Sequence, residues 1–383
     1  MRLSGFEPES QAWQARVITR LHYSRILDFN FIEFMDDIIR LLNQINKISI
    51  QNKMLIYLLI FTVSFLTTFI ATPWIMPKLK KANLTGIDIN KRDKPVLPEM
   101  GGFVIVFGFS AGVLLSIFMY TFSEHVSSIF GISIISELHL NLILASLSTI
   151  LIMTIIGIFD DLFAMRQSIK ALLPLFAALP LVAVKAGVST MRFPFIGSVD
   201  FGILYALIFV PIGIAGASNV TNMLAGFNGL EAGMGFIASM SLAFIALKIG
   251  SLEALILLLS MSGALFAFLF YNWYPAKLLI GDIGTLCIGT VIASAVIIGN
   301  FETAGVIVII PYAIDFIIKL RNGFPSKGWE GEIYNGKLIC RKRPISLCQW
   351  IMKITNGISE VNLVLFLVFV ELIFGIIAIL SFG

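Results

Sequence analysis

Histidine and cysteine are almost absent. The chain of 383 residues holds three of each. Cys287, Cys340 and Cys348 are too few and too spread for a disulfide framework, and they show no paired metal-ligand spacing. The histidines, His22, His125 and His139, are scattered. Charge is scarce as well: 13% of residues are charged, against about 25% in an ordinary soluble protein. What fills the sequence is apolar, with 58% hydrophobic residues and a mean hydropathy of +0.93. Those values exclude a soluble enzyme and a disordered chain. They leave a polytopic membrane protein. The net charge of +4 means little until the charges are placed.

A bilayer core of about 30 Å needs roughly 20 apolar residues in a helix. Such runs occur at Met54–Met76, Gly101–Phe122, Asn141–Phe159, Phe201–Ala217, Ala232–Leu247, Ala254–Trp273 and Ile283–Gly299. Ala171–Val184 is shorter, Thr303–Ile318 contains Asp315, and Val361–Phe382 contains Glu371. The expected architecture is an all-α, polytopic membrane protein of about ten transmembrane helices. A barrel would alternate polar and apolar residues, and these runs do not.

Charge orients the helices. Of the 20 Lys and Arg from Met54 onward, 17 fall in the loops after odd-numbered helices and 3 in the others. The odd loops are therefore expected in the cytoplasm. The first 53 residues hold the other 7 Lys and Arg and fit this orientation poorly. Two readings stay open for them: a basic arm, or an extension ahead of a true start at Met35 or Met54. The expected division is 1–53 as an N-terminal extension and 54–383 as a ten-helix transmembrane catalytic domain.

The polar clusters share one face. The first odd loop is basic and runs into a Gly pair at 101–102. Helix 3 ends in Asp160-Asp161, followed by Arg166 and Lys170. The next odd loop carries Asn219, Asn222, Asn228 and Glu231; the one after holds Gly281-Asp282; the last holds Arg341-Lys342-Arg343. Singly, each has a plain structural reading: interfacial polarity, a turn, or a topology signal. Together they bring carboxylates and amides, which suit Mg²⁺, to the face that carries basic groups suited to phosphate oxygens. That combination fits phosphoryl transfer on an anionic substrate. Asp315 has Lys319 one turn on, so an i,i+4 pair is expected. Glu371 has no partner near in sequence. His125 and His139 are expected to be solvated.

In these clusters the chain resembles the polyprenyl-phosphate N-acetylhexosamine-1-phosphate transferases, over about Met54 to Gly383. NKRDKPVLPEMGG (Asn90–Gly102) and NMLAGFNGLEAG (Asn222–Gly233) look like the archaeal and eukaryotic branch, which makes GlcNAc-diphospho-dolichol. Bacterial peptidoglycan enzymes carry a His cluster where this chain has Arg341-Lys342-Arg343, which puts a muramyl-peptide substrate in doubt. The short last loop favours the archaeal side.

The resemblance implies Mg²⁺, with Mn²⁺ as a substitute, held by Asn222 and Asp282. It implies Asp160, Asp161, Lys170 and Asn219 as catalytic residues, the Asp pair being the disputed catalytic base. It implies Asn228, Glu231, Arg341 and Arg343 as substrate-binding, with Asn228 near uracil and the arginines on the diphosphate and sugar. Lys91 and Asp93 match loosely. The implied partners are UDP-GlcNAc, dolichyl or another polyprenyl phosphate, and membrane lipid, with no nucleic acid; a homodimer is left open. The implied enzyme transfers GlcNAc-1-phosphate and releases UMP, in a cell membrane with its site facing the cytoplasm. Two alternatives stand beside it: a transferase using another UDP-sugar or undecaprenyl phosphate, and a secondary transporter.

Overall fold

The computed structural model describes residues 31–130, 138–193, 197–325, 328 and 330–382. The readings of residues 1–30 lie outside the described residues. By contact the chain divides into two units. The smaller joins Met1–Ile56 with Met119–Ser136. Its described parts include the first stretch of helix α1 (Phe31–Lys81) and the short α3 (Ser123–Phe130). The larger joins Tyr57–Phe118 with Glu137–Gly383 and holds the rest of the chain.

Nine helices among the described residues are long and apolar enough to cross a membrane. They are the Met54–Lys81 part of α1, α2 (Gly102–Thr121), α4 (Leu140–Phe163), Tyr205–Met223, α8 (Leu230–Ile249), α9 (Leu252–Asn272), α10 (Gly281–Gly299), α11 (Glu302–Arg321) and α13 (Glu360–Ser381). In the span Tyr205–Met223, a π-helical turn at Tyr205–Phe209 leads into α7 (Val210–Met223). The tenth expected span is a shorter apolar stretch, Gln167–Ala183. It is divided into α5 (Gln167–Ala177) and α6 (Leu179–Ala183) and contains Pro174 and Pro180. At 1.5 Å per residue it would extend only about 25 Å, less than a bilayer core. Three two-stranded antiparallel hairpins complete the framework: β1 (Thr85–Ile87) with β2 (Val96–Pro98), β3 (Thr190–Phe193) with β4 (Gly197–Asp200), and β5 (Glu332–Tyr334) with β6 (Lys337–Ile339). The protein is all-α and polytopic, as expected.

α10 is the centre. Its most apolar 18-residue stretch is 89% buried, and it packs against α4, α7, α8, α9 and α11. Without a hydrophobic driving force between helices in lipid, close packing needs small side chains. Gly157 and Gly289 supply it. A Cβ on Gly157 would meet Ile283 Cα at 2.7 Å, and one on Gly289 would meet the Ala217 carbonyl oxygen at 2.4 Å.

Three helix boundaries bring the polar residues to helix ends. α4 runs on to Phe163 and ends on left-handed Ala164 (φ 46°), so Asp160 and Asp161 occupy its last turn. α7 continues to Met223, so Asn219 and Asn222 do likewise. α10 starts at Gly281, which puts Asp282 in its first turn. His139 is exposed, as expected, and its Nδ1 lies 2.8 Å from Glu253 Oε1. Glu371 is fully buried, and neither carboxyl oxygen has a hydrogen-bond partner among the described residues.

Candidate active site

The ends of α4, α7, α9 and α11 and the starts of α5, α8 and α10 meet at one end of the larger unit. They enclose a cavity of about 1020 Å³. Asp161, Lys170, Asn219, Asn222, Asn228 and Glu231 line it, together with Asp282. Segments more than a hundred residues apart are thus brought to one wall.

Lys170 is the hub. Its Nζ lies 2.8 Å from Asp282 Oδ2 and also pairs with Asp160 Oδ2. Asp160 Oδ1 accepts the Met165 N–H at 3.1 Å, which fixes the turn after α4. Asp161 points elsewhere. Its Oδ1 accepts the Asp282 N–H at 2.8 Å and its Oδ2 accepts the Ile283 N–H at 3.3 Å. A carboxylate at an amide end is favourable both as a cap and against the helix dipole. Gly281 makes room for it (φ 70°); a Cβ there would meet Asp161 Oδ2 at 2.7 Å.

Asn222 Oδ1 accepts the Thr285 hydroxyl at 2.7 Å, which places it beside the first turn of α10. Asn219 Nδ2 donates to the Ala215 carbonyl at 2.8 Å. Asn228 is engaged on both sides of its amide. Nδ2 donates to Asp88 Oδ2 at 3.0 Å, and Oδ1 accepts the Ala276 N–H at 3.0 Å. Its main-chain N–H donates to Glu360 Oε1 at 2.8 Å. Glu231 Oε1 accepts the Gly226 N–H and closes the same loop.

Arg341 and Arg343 do not line the cavity. They are exposed on the segment after β6. Arg341 Nε lies 3.7 Å from Glu332 Oε2, and its guanidinium sits over the Tyr334 ring. Lys91 bridges Asp88 and Glu360, beside Asn228, while Asp93 is exposed.

Several cavity residues escaped the sequence reading. Glu99, between β2 and α2, lines the cavity, and burial followed by the nearby charge of Asp282 pushes its pKa up. The only signal was an acidic residue directly before the Met100-Gly101-Gly102 turn. Asp88 and Thr285, which line the cavity, and Glu360, which accepts the Asn228 N–H, act through partners distant in sequence, and nothing in their neighbourhood announces that.

Among the described residues, no three His, Cys, Asp or Glu side chains group as a metal cage. Mg²⁺ does not need one, because it keeps several waters and takes one or two carboxylates plus substrate phosphates. Asp282 and Asn222, hard oxygen donors on one cavity wall, fit that demand.

Residues 142–300 match the model of glycosyl transferase family 4. A Saccharolobus solfataricus protein is 37% identical over 330 residues, covering 86% of this chain and 97% of the relative. It carries the provisional name UDP-N-acetylglucosamine–dolichyl-phosphate N-acetylglucosaminephosphotransferase. A Sulfolobus acidocaldarius protein with the same provisional name is 38% identical over 324 residues, 84% and 95% of the two chains. A Dictyostelium discoideum protein bearing that name outright is 27% identical over 364 residues, 83% and 85% of the two chains. With such identity across nearly the whole of its archaeal relatives, the chain belongs to glycosyl transferase family 4.

Proposed function

We propose that this protein transfers GlcNAc-1-phosphate from UDP-GlcNAc to dolichyl phosphate and releases UMP. The observation that carries this reading is the gathering of Asp161, Lys170, Asp282 and Asn222 on one large cavity at the helix ends, with Asp160 paired to Lys170 behind them. A water-soluble nucleotide and a lipid phosphate can both reach such a place. The names of the archaeal and Dictyostelium relatives supply the substrate pair.

A lipid phosphate oxygen attacks the sugar-bearing β-phosphorus. The bond from that phosphorus to the bridging oxygen breaks, and UMP leaves with the oxygen. A phosphate monoester has a second pKa near 6, so the nucleophile is already mostly ionised at neutral pH. A protein base then contributes little. Asp160 instead holds Lys170, whose ammonium draws phosphate oxygens into line. Asp161, engaged by two backbone N–H groups, holds Asp282 in place. Asp282 and Asn222 would hold Mg²⁺, which when bound neutralises charge on the pyrophosphate and the departing UMP. Arg341 and Arg343, exposed cations outside the cavity, would contribute by attracting the anionic nucleotide-sugar. The 17-to-3 bias of basic residues supports a cytoplasmic site in a cell membrane.

The test is purified full-length protein with radiolabelled UDP-sugars and with dolichyl or undecaprenyl phosphate, with and without Mg²⁺. The expected outcome is Mg²⁺-dependent UMP release with UDP-GlcNAc, fastest on dolichyl phosphate. Solute uptake by proteoliposomes without UMP release would overturn the reading.

A further inference from the structure

Asp315 and Lys319 lie one turn apart near the end of α11, and both are buried. Lys319 Nζ meets Asp315 Oδ2 at 2.9 Å, the expected i,i+4 pair. An ionised carboxylate inside a membrane helix is costly. A buried pair recovers its desolvation cost only when further hydrogen bonds satisfy both partners. Each partner here has such a bond, and each bond goes to the end of another helix. Lys319 Nζ donates to the carbonyl of Met223, the last residue of α7. Asp315 Oδ1 accepts at 2.7 Å from the N–H of Leu347, the first residue of helix α12 (Leu347–Ile354). The signs match the ends: a cation sits at a carbonyl end and an anion at an amide end.

One clamped end, that of α7, belongs to the site, and the other begins just after the exposed arginine segment. Met223 follows Asn222, and Lys319 itself lines the cavity. Leu347 lies four residues beyond Arg343, and Ser346 just before it caps α12 by accepting the Gln349 N–H at 3.2 Å. One ion pair therefore ties the end of α7, beside Asn222, and the start of α12 to the same turn of α11.

We propose that Asp315 and Lys319 are positioning residues that hold the Asn222-bearing end of α7 in register with the cavity, using the start of α12 as the fixed point. This role rests on the transferase reading. Both side chains are engaged with each other and with the helix ends they hold.

Removing one partner alone leaves an unpaired buried charge, which is strongly destabilising. The double variant Asp315→Asn/Lys319→Met removes both charges together. In purified full-length protein it is compared with wild type for UDP-GlcNAc KM, Mg²⁺ concentration at half-maximal rate, lipid-phosphate KM and Tm. The expected result is a rise of about tenfold in the first two, the scale seen when groups supporting a metal ligand are lost. Lipid-phosphate KM stays unchanged, and Tm moves by no more than about 4 °C. A merely structural role would lower the active fraction, so kcat would fall while all three half-saturation values stayed put. That result, or unaltered kinetics, overturns the proposal. If the double variant does not accumulate, Asp315→Asn/Lys319→Gln, which keeps a donor toward the Met223 carbonyl and leaves no buried charge unpaired, is judged by the same criteria. Wild-type protein that releases no UMP from UDP-GlcNAc instead removes the transferase reading, and the positioning role goes with it.

Discussion

The carboxylate of Asp161 closes the amide end of α10, the helix that carries Asp282, with Oδ1 2.8 Å from the Asp282 nitrogen. The second acid of the Asp-Asp pair is therefore tied to the backbone beneath a proposed metal ligand. Asp161→Ala should lower kcat/KM by about tenfold to a hundredfold, as loss of a ligand's supporting partner does. Asp161→Asn keeps one acceptor oxygen and should lose less. Steady-state UMP release measures both. Equal, near-normal rates in the two variants would remove the capping role.

Chelation should abolish transfer, and Mg²⁺ or Mn²⁺ should restore it. Asp282→Ala should not recover at any Mg²⁺ concentration, whereas Asn222→Ala should recover partly at raised Mg²⁺. A titration of rate against free metal separates the two. Full Mg²⁺-dependent activity in Asp282→Ala would falsify the metal assignment.

Glu99 has a pH signature. Burial, and then the charge of Asp282, hold its pKa above the ordinary 4.5. Between the ordinary and the raised value the folded protein binds more protons than the unfolded chain, so stability falls as pH rises through that window. Glu99→Gln removes this titration. Its Tm should decline less than that of wild type as pH rises from the ordinary carboxylate range. Parallel Tm curves would show that Glu99 titrates as an exposed carboxylate does.

Arg341 should separate binding from folding. Its side chain is 63% exposed, and its contact with Glu332 spans 3.7 Å. An exposed pair of that kind contributes about 0–1 kcal/mol. Arg341→Ala should leave Tm nearly unchanged and raise the KM for UDP-GlcNAc. An unchanged KM would place Arg341 outside the substrate's reach.

Long-range pairing set the limit of what the chain alone could disclose. Asp160, Asn222 and Asp282 were legible because polar residues at the ends of apolar runs are rare, and the parity of the runs put them on one face. The Asp315–Lys319 pair was legible because helical periodicity places i and i+4 together. The partner of Lys170 was not: Asp282 lies 112 residues away. Asn228, expected beside uracil, has its amide engaged by Asp88 and Ala276, residues that no local pattern connects to it.

Hydrophobic run length and the placing of charge, both properties of the chain alone, determined a bundle of membrane helices with one polar end. Lipid forces each backbone to satisfy itself within its own helix, so such runs can be recognised one at a time. Only the tertiary structure decided that Asp161 serves the backbone of α10 while Asp160 serves Lys170, and that Arg341 and Arg343 stand outside the cavity. Those outcomes depend on how far helices approach one another, and that distance is fixed by the side chains of both partners at once.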